Sequence, residues 1–177
     1  MAVLQKIREF FVSPAADEFE AVVPAPETEY EIRPLTMKNL DEVLRLNQRC
    51  FKRGEHYGRH ILSYLLSEPT TISYRMTTSE GTMAAFAFIT LDKDGTGHIT
   101  TIGVAPEHRR RGLAQRLLLH AEEALRQKGI TLVRLEVRVS NIAAQSLYRR
   151  FGYSVVQRLK QYYNNGEDGF LMVKSLI

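Results

Sequence analysis

One stretch constrains the fold of this chain more than any other. Residues 102–115, Ile-Gly-Val-Ala-Pro-Glu-His-Arg-Arg-Arg-Gly-Leu-Ala-Gln, join a β-branched run to an amphipathic helix through a proline turn and three consecutive arginines. The helix runs from about Gly112 to Lys128, with Leu113, Leu117, Ala121, Ala124 and Leu125 on one face and Gly129 placed to end it. A helix start leaves backbone N–H groups unpaired and carries partial positive charge, so it can hold phosphate oxygens. Gly112 lets a diphosphate approach the main chain, Ala114 keeps the next turn nearly as open, and Arg110 and Arg111 add charge. Neither Gly-x-Gly-x-x-Gly after a strand nor Gly-Lys-Ser/Thr occurs, which disfavours an ordinary dinucleotide or nucleotide site.

Around this junction the pattern is regular from Tyr30 onward. A short strand (Tyr30 to Arg33) precedes Thr36 as a helix N-cap and an apolar-periodic run through Leu40, Val43, Leu44 and Leu46. A second helix is expected at Arg59 to Leu66. Strands follow at Ile72 to Thr77, Met83 to Leu91 and His98 to Val104, separated by Ser79-Glu80-Gly81 and Asp92-Lys93-Asp94-Gly95, which have turn chemistry. After the long helix come a strand at Thr131 to Val139, a helix at Ala143 to Arg150, and strands at Tyr153 to Lys160 and Phe170 to Lys174. Hairpins followed by a strand-helix-strand unit predict one mixed α and β domain around a single sheet.

With 177 residues, 44% of them hydrophobic and 25% charged, the chain suits one globular domain rather than a disordered or fibrous one. Residues 29–177 are expected to form it. Residues 1–28 read as an appendage: a short amphipathic helix through Val3, Leu4, Ile7, Phe10 and Phe11, then a tether with Pro24 and Pro26. The appendage is expected to pack on the domain or on a second subunit, which leaves an oligomer open. No apolar run approaches the roughly 20 residues of a membrane span, and Lys6, Arg8 and Glu9 interrupt the first one, so neither a signal peptide nor a span is expected. The single cysteine, Cys50, suits a reducing compartment, for which the cytoplasm is the simplest address. The net charge of +4 is modest, but between Ala105 and Lys160 twelve Lys and Arg stand against Glu107, Glu122, Glu123 and Glu136. That imbalance points to an anionic ligand, with solvated helix faces as the plain alternative.

At Arg109-x-x-Gly112-x-Ala114 the sequence resembles the GNAT superfamily of acetyltransferases, whose signature is Arg/Gln-x-x-Gly-x-Gly/Ala after a strand. The likeness extends to Val104-x-Pro106, Leu135-Glu-Val-Arg-Val-Ser-Asn141 and Ser146-Leu-Tyr-Arg-Arg-Phe-Gly-Tyr153, in the family's order and spacing. Within the family it is most similar to N-terminal protein acetyltransferases of the archaeal and ribosomal-protein-alanine types. The subgroup matches are Glu55-His-Tyr, Gly97-His98-Ile, the same Leu135-Glu-Val-Arg-Val-Ser-Asn141 stretch and Tyr162-Tyr-Asn-Asn-Gly-Glu-Asp168. One departure is Tyr57-Gly58-Arg59, where many relatives carry a Pro-Tyr pair.

The resemblance implies a mostly antiparallel twisted sheet with one parallel, splayed strand pair, flanked by helices, and acetyl-CoA bound in the splay. It implies coenzyme contact by Ile102, Gly103 and Val104, whose backbone would meet the pantetheine arm at a β-bulge. The turn and helix start, Arg109, Arg110, Arg111, Gly112, Leu113, Ala114 and Gln115, would hold the diphosphate, with Asn141 and Tyr148 also in contact. Catalytic roles fall on Glu136 as proton acceptor, Tyr148 as proton donor to the thiolate, and His98 and Glu55 as alternative base or water-positioning residues. The acceptor would meet Tyr57, Tyr162 and Tyr163.

Each role has a plainer counterpart. Glu136 could be a surface carboxylate paired with Arg134 or Arg138, Tyr148 a core aromatic beside Phe151, His98 a polar residue at a strand start, Glu55 a solvated loop acid, and Asn141 a helix cap. Cys50, at the end of an apolar helix face, reads as a small buried hydrophobe rather than an acyl carrier. The five histidines have no metal-site spacing, so no metal is expected. The acceptor implied is a protein or peptide N-terminus, such as that of a ribosomal protein. A lysine or small-molecule amine is the alternative, and a non-catalytic RNA-binding module a more distant one, because the arginines coincide with the coenzyme motif and no aromatic-interleaved basic stripe exists.

Overall fold

The run Met-Ala-Ala-Phe-Ala-Phe-Ile-Thr-Leu forms β3 (Met83–Leu91), which is apolar at every position but Thr90 because both its faces are covered. In the computed structural model, which describes residues 22–51 and 56–177, β3 lies inside a sheet ordered β1-β2-β3-β4-β5-β7-β6 among the described residues. The other strands are β1 (Tyr30–Pro34), β2 (Thr71–Thr78), β4 (Gly97–Val104), β5 (Leu132–Arg138), β6 (Ser154–Leu159) and β7 (Gly169–Ser175). Among the described residues four α-helices accompany them: α1 (Leu40–Cys50), α2 (Arg59–Ser67), α3 (Leu113–Gln127) and α4 (Ile142–Arg150). The amphipathic helix expected at residues 1–13 lies outside the described residues.

Alternation along β3 sends Phe86 and Phe88 to one face, where they pack with Leu40, Val43 and Leu46 of α1 and Ile61, Leu62 and Leu65 of α2. Ala85, Ala87 and Ile89 face the other way, onto Leu113, Leu117, Leu118, Ala121 and Leu125 of α3. The small alanines let α3 approach the sheet closely, and the phenylalanines fill the wider space opposite. Glu122 of α3 is fully buried, where an unpaired charge would be costly. It meets Lys174 Nζ of β7 at 2.5 Å, tying the helix to the far half of the sheet.

One local detail differs from the sequence reading, and another bears on the appendage. Thr36 does not cap α1 directly: a 3₁₀ turn at Met37–Asn39 intervenes, and Asn39 Oδ1 accepts from the Thr36 amide at 3.2 Å. The end of the expected tether is bound to the domain. The Ala25 amide donates to the Glu107 carbonyl at 2.9 Å, and the carbonyls of Ala25 and Pro26 both accept from Arg111. Extended backbone around Pro24 and Pro26 has no ladder of its own, so its carbonyls are available to a nearby guanidinium.

All strand pairs are antiparallel except β4 and β5. That parallel pair holds register at two positions only, Gly97 with Val133 and His98 with Arg134. Beyond them the strands part, and the cleft between them positions the site. No helix among the described residues is long and apolar enough to cross a membrane.

Candidate active site

From the point of divergence, β4 supplies Ile99, Thr100, Thr101 and Ile102 to one wall of the cleft, and β5 supplies Glu136, Val137 and Arg138 to the other. The helix α4 and its N-cap add Asn141, Ala144 and Tyr148, and Phe51, Tyr57 and Tyr163 complete the lining. On β5 the even-numbered residues 134, 136 and 138 share a face, while Val133, Leu135 and Val137 are buried in the core.

At the apex, His98 Nε2 lies 2.7 Å from Glu136 Oε2, and His98 Nδ1 lies 3.4 Å from Thr90 Oγ1. Arg134 Nη1 donates to Glu136 Oε1 at 3.1 Å, so both carboxylate oxygens have partners. Glu136 is therefore paired with Arg134, as its plainer reading held, but it is not at the surface: its side chain is 9% exposed. Burial pushes its carboxyl upward, yet hydrogen bonding and charge from His98, with the charge of Arg134, hold it below the ordinary range. Glu55 lies outside the described residues.

Tyr148 enters the cleft from α4 with its ring edge-on to Tyr153, centroids 5.6 Å apart. Burial pushes its phenol up to about 12, so it keeps its proton at neutral pH. Tyr57 closes the opposite side. Its hydroxyl donates to the Thr100 carbonyl at 3.3 Å, and its own carbonyl accepts from the buried Asn47 Nδ2 at 2.8 Å. Tyr163 stacks over the Arg138 guanidinium at 3.8 Å, and Arg138 is fixed by Glu167 Oε2 at 2.8 Å. Tyr162 stands edge-on to Tyr163 and does not line the cleft itself.

Along β4 the residue added at the bulge is Thr100: Phe88 pairs with Thr101 and Ile89 with Ile99. The bulge thus precedes Ile102–Val104, where the family likeness had suggested it, by two residues. Gly103 is needed for close packing, since a Cβ there would stand 2.4 Å from Phe86 Cε1. Ile102, Gly103 and Val104 pair with β3 on one edge, and the other edge faces the cleft.

The turn into α3 has left-handed backbone at Arg110 (φ 64°) and Gly112 (φ 75°). Left-handed residues at a helix start make a nest of amides suited to anions. The amide of Arg116 donates to Gly112 O at 3.0 Å, and those of Gly112, Leu113, Ala114 and Gln115 have no acceptor among the described residues. The backbone therefore fits a diphosphate. Side chains contribute unequally: Leu113 is buried in the core, Arg110 and Gln115 are exposed, and Arg109 bonds the carbonyls of Val104 (3.3 Å) and Cys50 (3.1 Å). Arg111 is turned to the Pro26 carbonyl at 2.8 Å and the Tyr30 hydroxyl at 2.9 Å. Asn141 caps α4, accepting from the Ala144 amide at 3.0 Å. Among the described residues no group of three or more His, Cys, Asp or Glu could hold a metal ion.

Sequence reasoning missed Asp92, Thr90, Thr100, Asn47 and Phe51 as parts of the site, and it treated Arg134 only as a pairing partner. A period-two reading of β5 places Arg134 beside Glu136; nothing local marks the others.

Comparison with known proteins agrees with this geometry. The family model described as the Acetyltransferase (GNAT) family matches residues 40–153. An N-alpha-acetyltransferase of Sulfurisphaera tokodaii is 30% identical over 159 residues, covering 84% of this chain and 94% of that protein. The catalytic subunit naa20 of the N-terminal acetyltransferase B complex of Schizosaccharomyces pombe is 39% identical over 115 residues, or 63% of this chain and 59% of the other. The crystal structure of the ribosomal-protein-S18-alanine N-acetyltransferase from Escherichia coli superposes with a TM-score of 0.77 at 26% identity, covering 84% and 94% of the two chains.

Proposed function

The chain belongs to the GNAT acetyltransferase family, and from that premise we propose that it moves the acetyl group of acetyl-CoA onto the N-terminal α-amine of a protein. The observation that carries the acceptor class is the acceptor end of the cleft, where Tyr57 and Tyr163, from two separate loops, line the space beside Glu136. Two such loops suit an extended peptide entering end-on; a polyamine would be served better by an open acidic bowl. The named relatives, which act on protein N-termini, support the same reading.

Acetyl-CoA, when bound, supplies a thioester carbonyl open to direct attack by an amine. In this reading the amides from Gly112 to Gln115 hold its diphosphate, and the cleft-facing backbone of Ile102 to Val104 aligns the arm as an added strand would. An α-amine with a pKa of about 7.7 to 8.0 is easier to deprotonate than lysine at about 10.4, by roughly 3.5 kcal/mol, so a modest base suffices. Glu136, ionised and held by His98, accepts the amine proton. Tyr148 retains its proton until the thiolate leaves and then donates it. Asn141 keeps α4, and so Tyr148, in place at the cleft.

Acetylation of short peptides differing at their first two residues, followed by mass spectrometry, tests the assignment. The panel includes an N-terminally blocked lysine peptide and a polyamine. Acetyl transfer to free peptide termini is expected; transfer confined to the lysine peptide or the polyamine would refute it.

A further inference from the structure

The Arg134 guanidinium bridges two carboxylates. Nε and Nη2 donate to Asp92 Oδ2 at 3.0 and 2.7 Å, and Nη1 donates to Glu136 Oε1 at 3.1 Å. Asp92 belongs to the β3–β4 turn, 42 residues before Arg134, so this link is made across the sheet rather than along a strand. Arg134 and His98 are also the Cα partners of the last parallel pair before β4 and β5 diverge. The guanidinium and the imidazole therefore take hold of the same carboxylate from adjacent strands at the apex of the cleft, one oxygen each.

We propose that Arg134, anchored by Asp92, is the positioning residue for proton transfer: it keeps the buried Glu136 ionised and fixed on His98, ready to accept the proton of the acceptor amine. The inference rests on the reading that Glu136 is that acceptor. Burial alone would favour a protonated Glu136, which could donate but not receive. A cation on one oxygen removes that preference, and Asp92 keeps the long arginine side chain from turning into solvent.

The charged and titratable groups around Glu136 are consistent with this division. His98 approaches from β4, Arg134 and Arg138 share its own strand face, and Tyr57 and Tyr163 reach in from the two loops. Arg138 is held by Glu167 and Asn165 under the Tyr163 ring. Arg134 Nη1 donates directly to Glu136 Oε1. The proton's path is short: the N–H bond of the attacking amine breaks, its electron pair stays on nitrogen, and the proton joins a Glu136 oxygen.

Steady-state kinetics with a peptide acceptor across pH 5 to 9, for the wild type, Arg134→Met, Arg134→Lys, Asp92→Asn and Glu136→Gln, test the proposal. In Arg134→Met, kcat should fall about 10- to 100-fold with the KM for acetyl-CoA unchanged. On the acid side its log kcat/KM against pH should steepen from a slope near one, set by the amine, towards two as Glu136 also takes up a proton, and at higher pH than in the wild type. Arg134→Lys should recover part of the rate and the shallower slope, and Asp92→Asn should move both in the direction of Arg134→Met by less. If Arg134→Met does not fold, the lysine and asparagine variants are judged by the same slope and rate. A wild-type rate and slope in these variants, with Glu136→Gln inactive, would overturn the proposal alone. Equal losses in the methionine and lysine variants with no change of slope would reduce Arg134 to a structural tie. A fully active Glu136→Gln would overturn both this proposal and the reading beneath it.

Discussion

Arg111 donates to the Pro26 carbonyl at 2.8 Å and to the Tyr30 hydroxyl at 2.9 Å, and Tyr30 in turn lies 2.8 Å from His108 Nδ1. The segment before β1 thus straps the turn whose amides would hold a diphosphate. Arg111→Met should weaken acetyl-CoA binding several-fold, on the order of 1 kcal/mol for a lost charged hydrogen-bond set, and lower Tm. Calorimetric titration beside thermal melting reads both; unchanged affinity with a lowered Tm would confine the strap to stability.

Glu136 links folding to pH. Its carboxyl is pushed up by burial but held lower overall by His98 and Arg134, so its folded value lies below its unfolded one. A depressed carboxylate contributes stability that is present above the unfolded value of about 4.3 and disappears as pH falls through the folded one. Melting curves of the wild type and Glu136→Gln should therefore differ at neutral pH in favour of the wild type and converge in acid. Parallel curves throughout would show that the ionised form is not what stabilises.

Tyr148→Phe removes one oxygen from the cleft while leaving the ring against Tyr153. The expected result is a fall in kcat of about 100-fold, with acetyl-CoA affinity within about twofold of wild type. Stopped-time assays and equilibrium titration separate the two quantities, and a loss of affinity equal to the loss of rate would reassign Tyr148 to binding.

Gly103→Ala places a methyl group 2.4 Å from Phe86 Cε1 and 3.2 Å from Cys50 Sγ. Overpacking of this kind costs about 1 to 3 kcal/mol, and relief by movement of β4 would disturb the coenzyme wall. Denaturant unfolding should show the destabilisation; a neutral effect would mean that Phe86 can re-pack without moving the strand.

Cys50 has its thiol pushed up to about 12, chiefly by burial. At neutral pH it should resist alkylation in the native protein and react after unfolding, and Cys50→Ala should keep its acetyl-transfer activity. Rapid labelling of the folded chain, or loss of turnover in the alanine variant, would count against the buried reading.

Much of the fold was legible because the signals were short-range. The alternation of β5, the amphipathic face of α3, and the turns at Ser79–Gly81 and Asp92–Gly95 depend on neighbours within a few residues, and these elements occur where the patterns put them. The exceptions differ in cause, one local and one set by a neighbouring strand. Asn39 draws the Thr36 amide into a 3₁₀ turn, and the bulge falls at Thr100 because the β3 register shifts between Phe88 and Ile89.

By itself, then, the sequence determined the elements, their order, and a strand-to-helix turn whose Gly112 lets an anion approach the main chain, while the left-handed backbone at Arg110 came from the structure. Those features follow from backbone sterics and side-chain period, which a chain carries with it before it folds. The tertiary structure decided which distant side chains share a charge: His98 with Glu136 across 38 residues, Arg134 with Asp92 across 42, and Arg111 with Pro26 across 85. No local rule could supply those pairings. The first two exist because two parallel strands meet at only two positions and then part, leaving a largely buried carboxylate within hydrogen-bonding reach of an imidazole and a guanidinium.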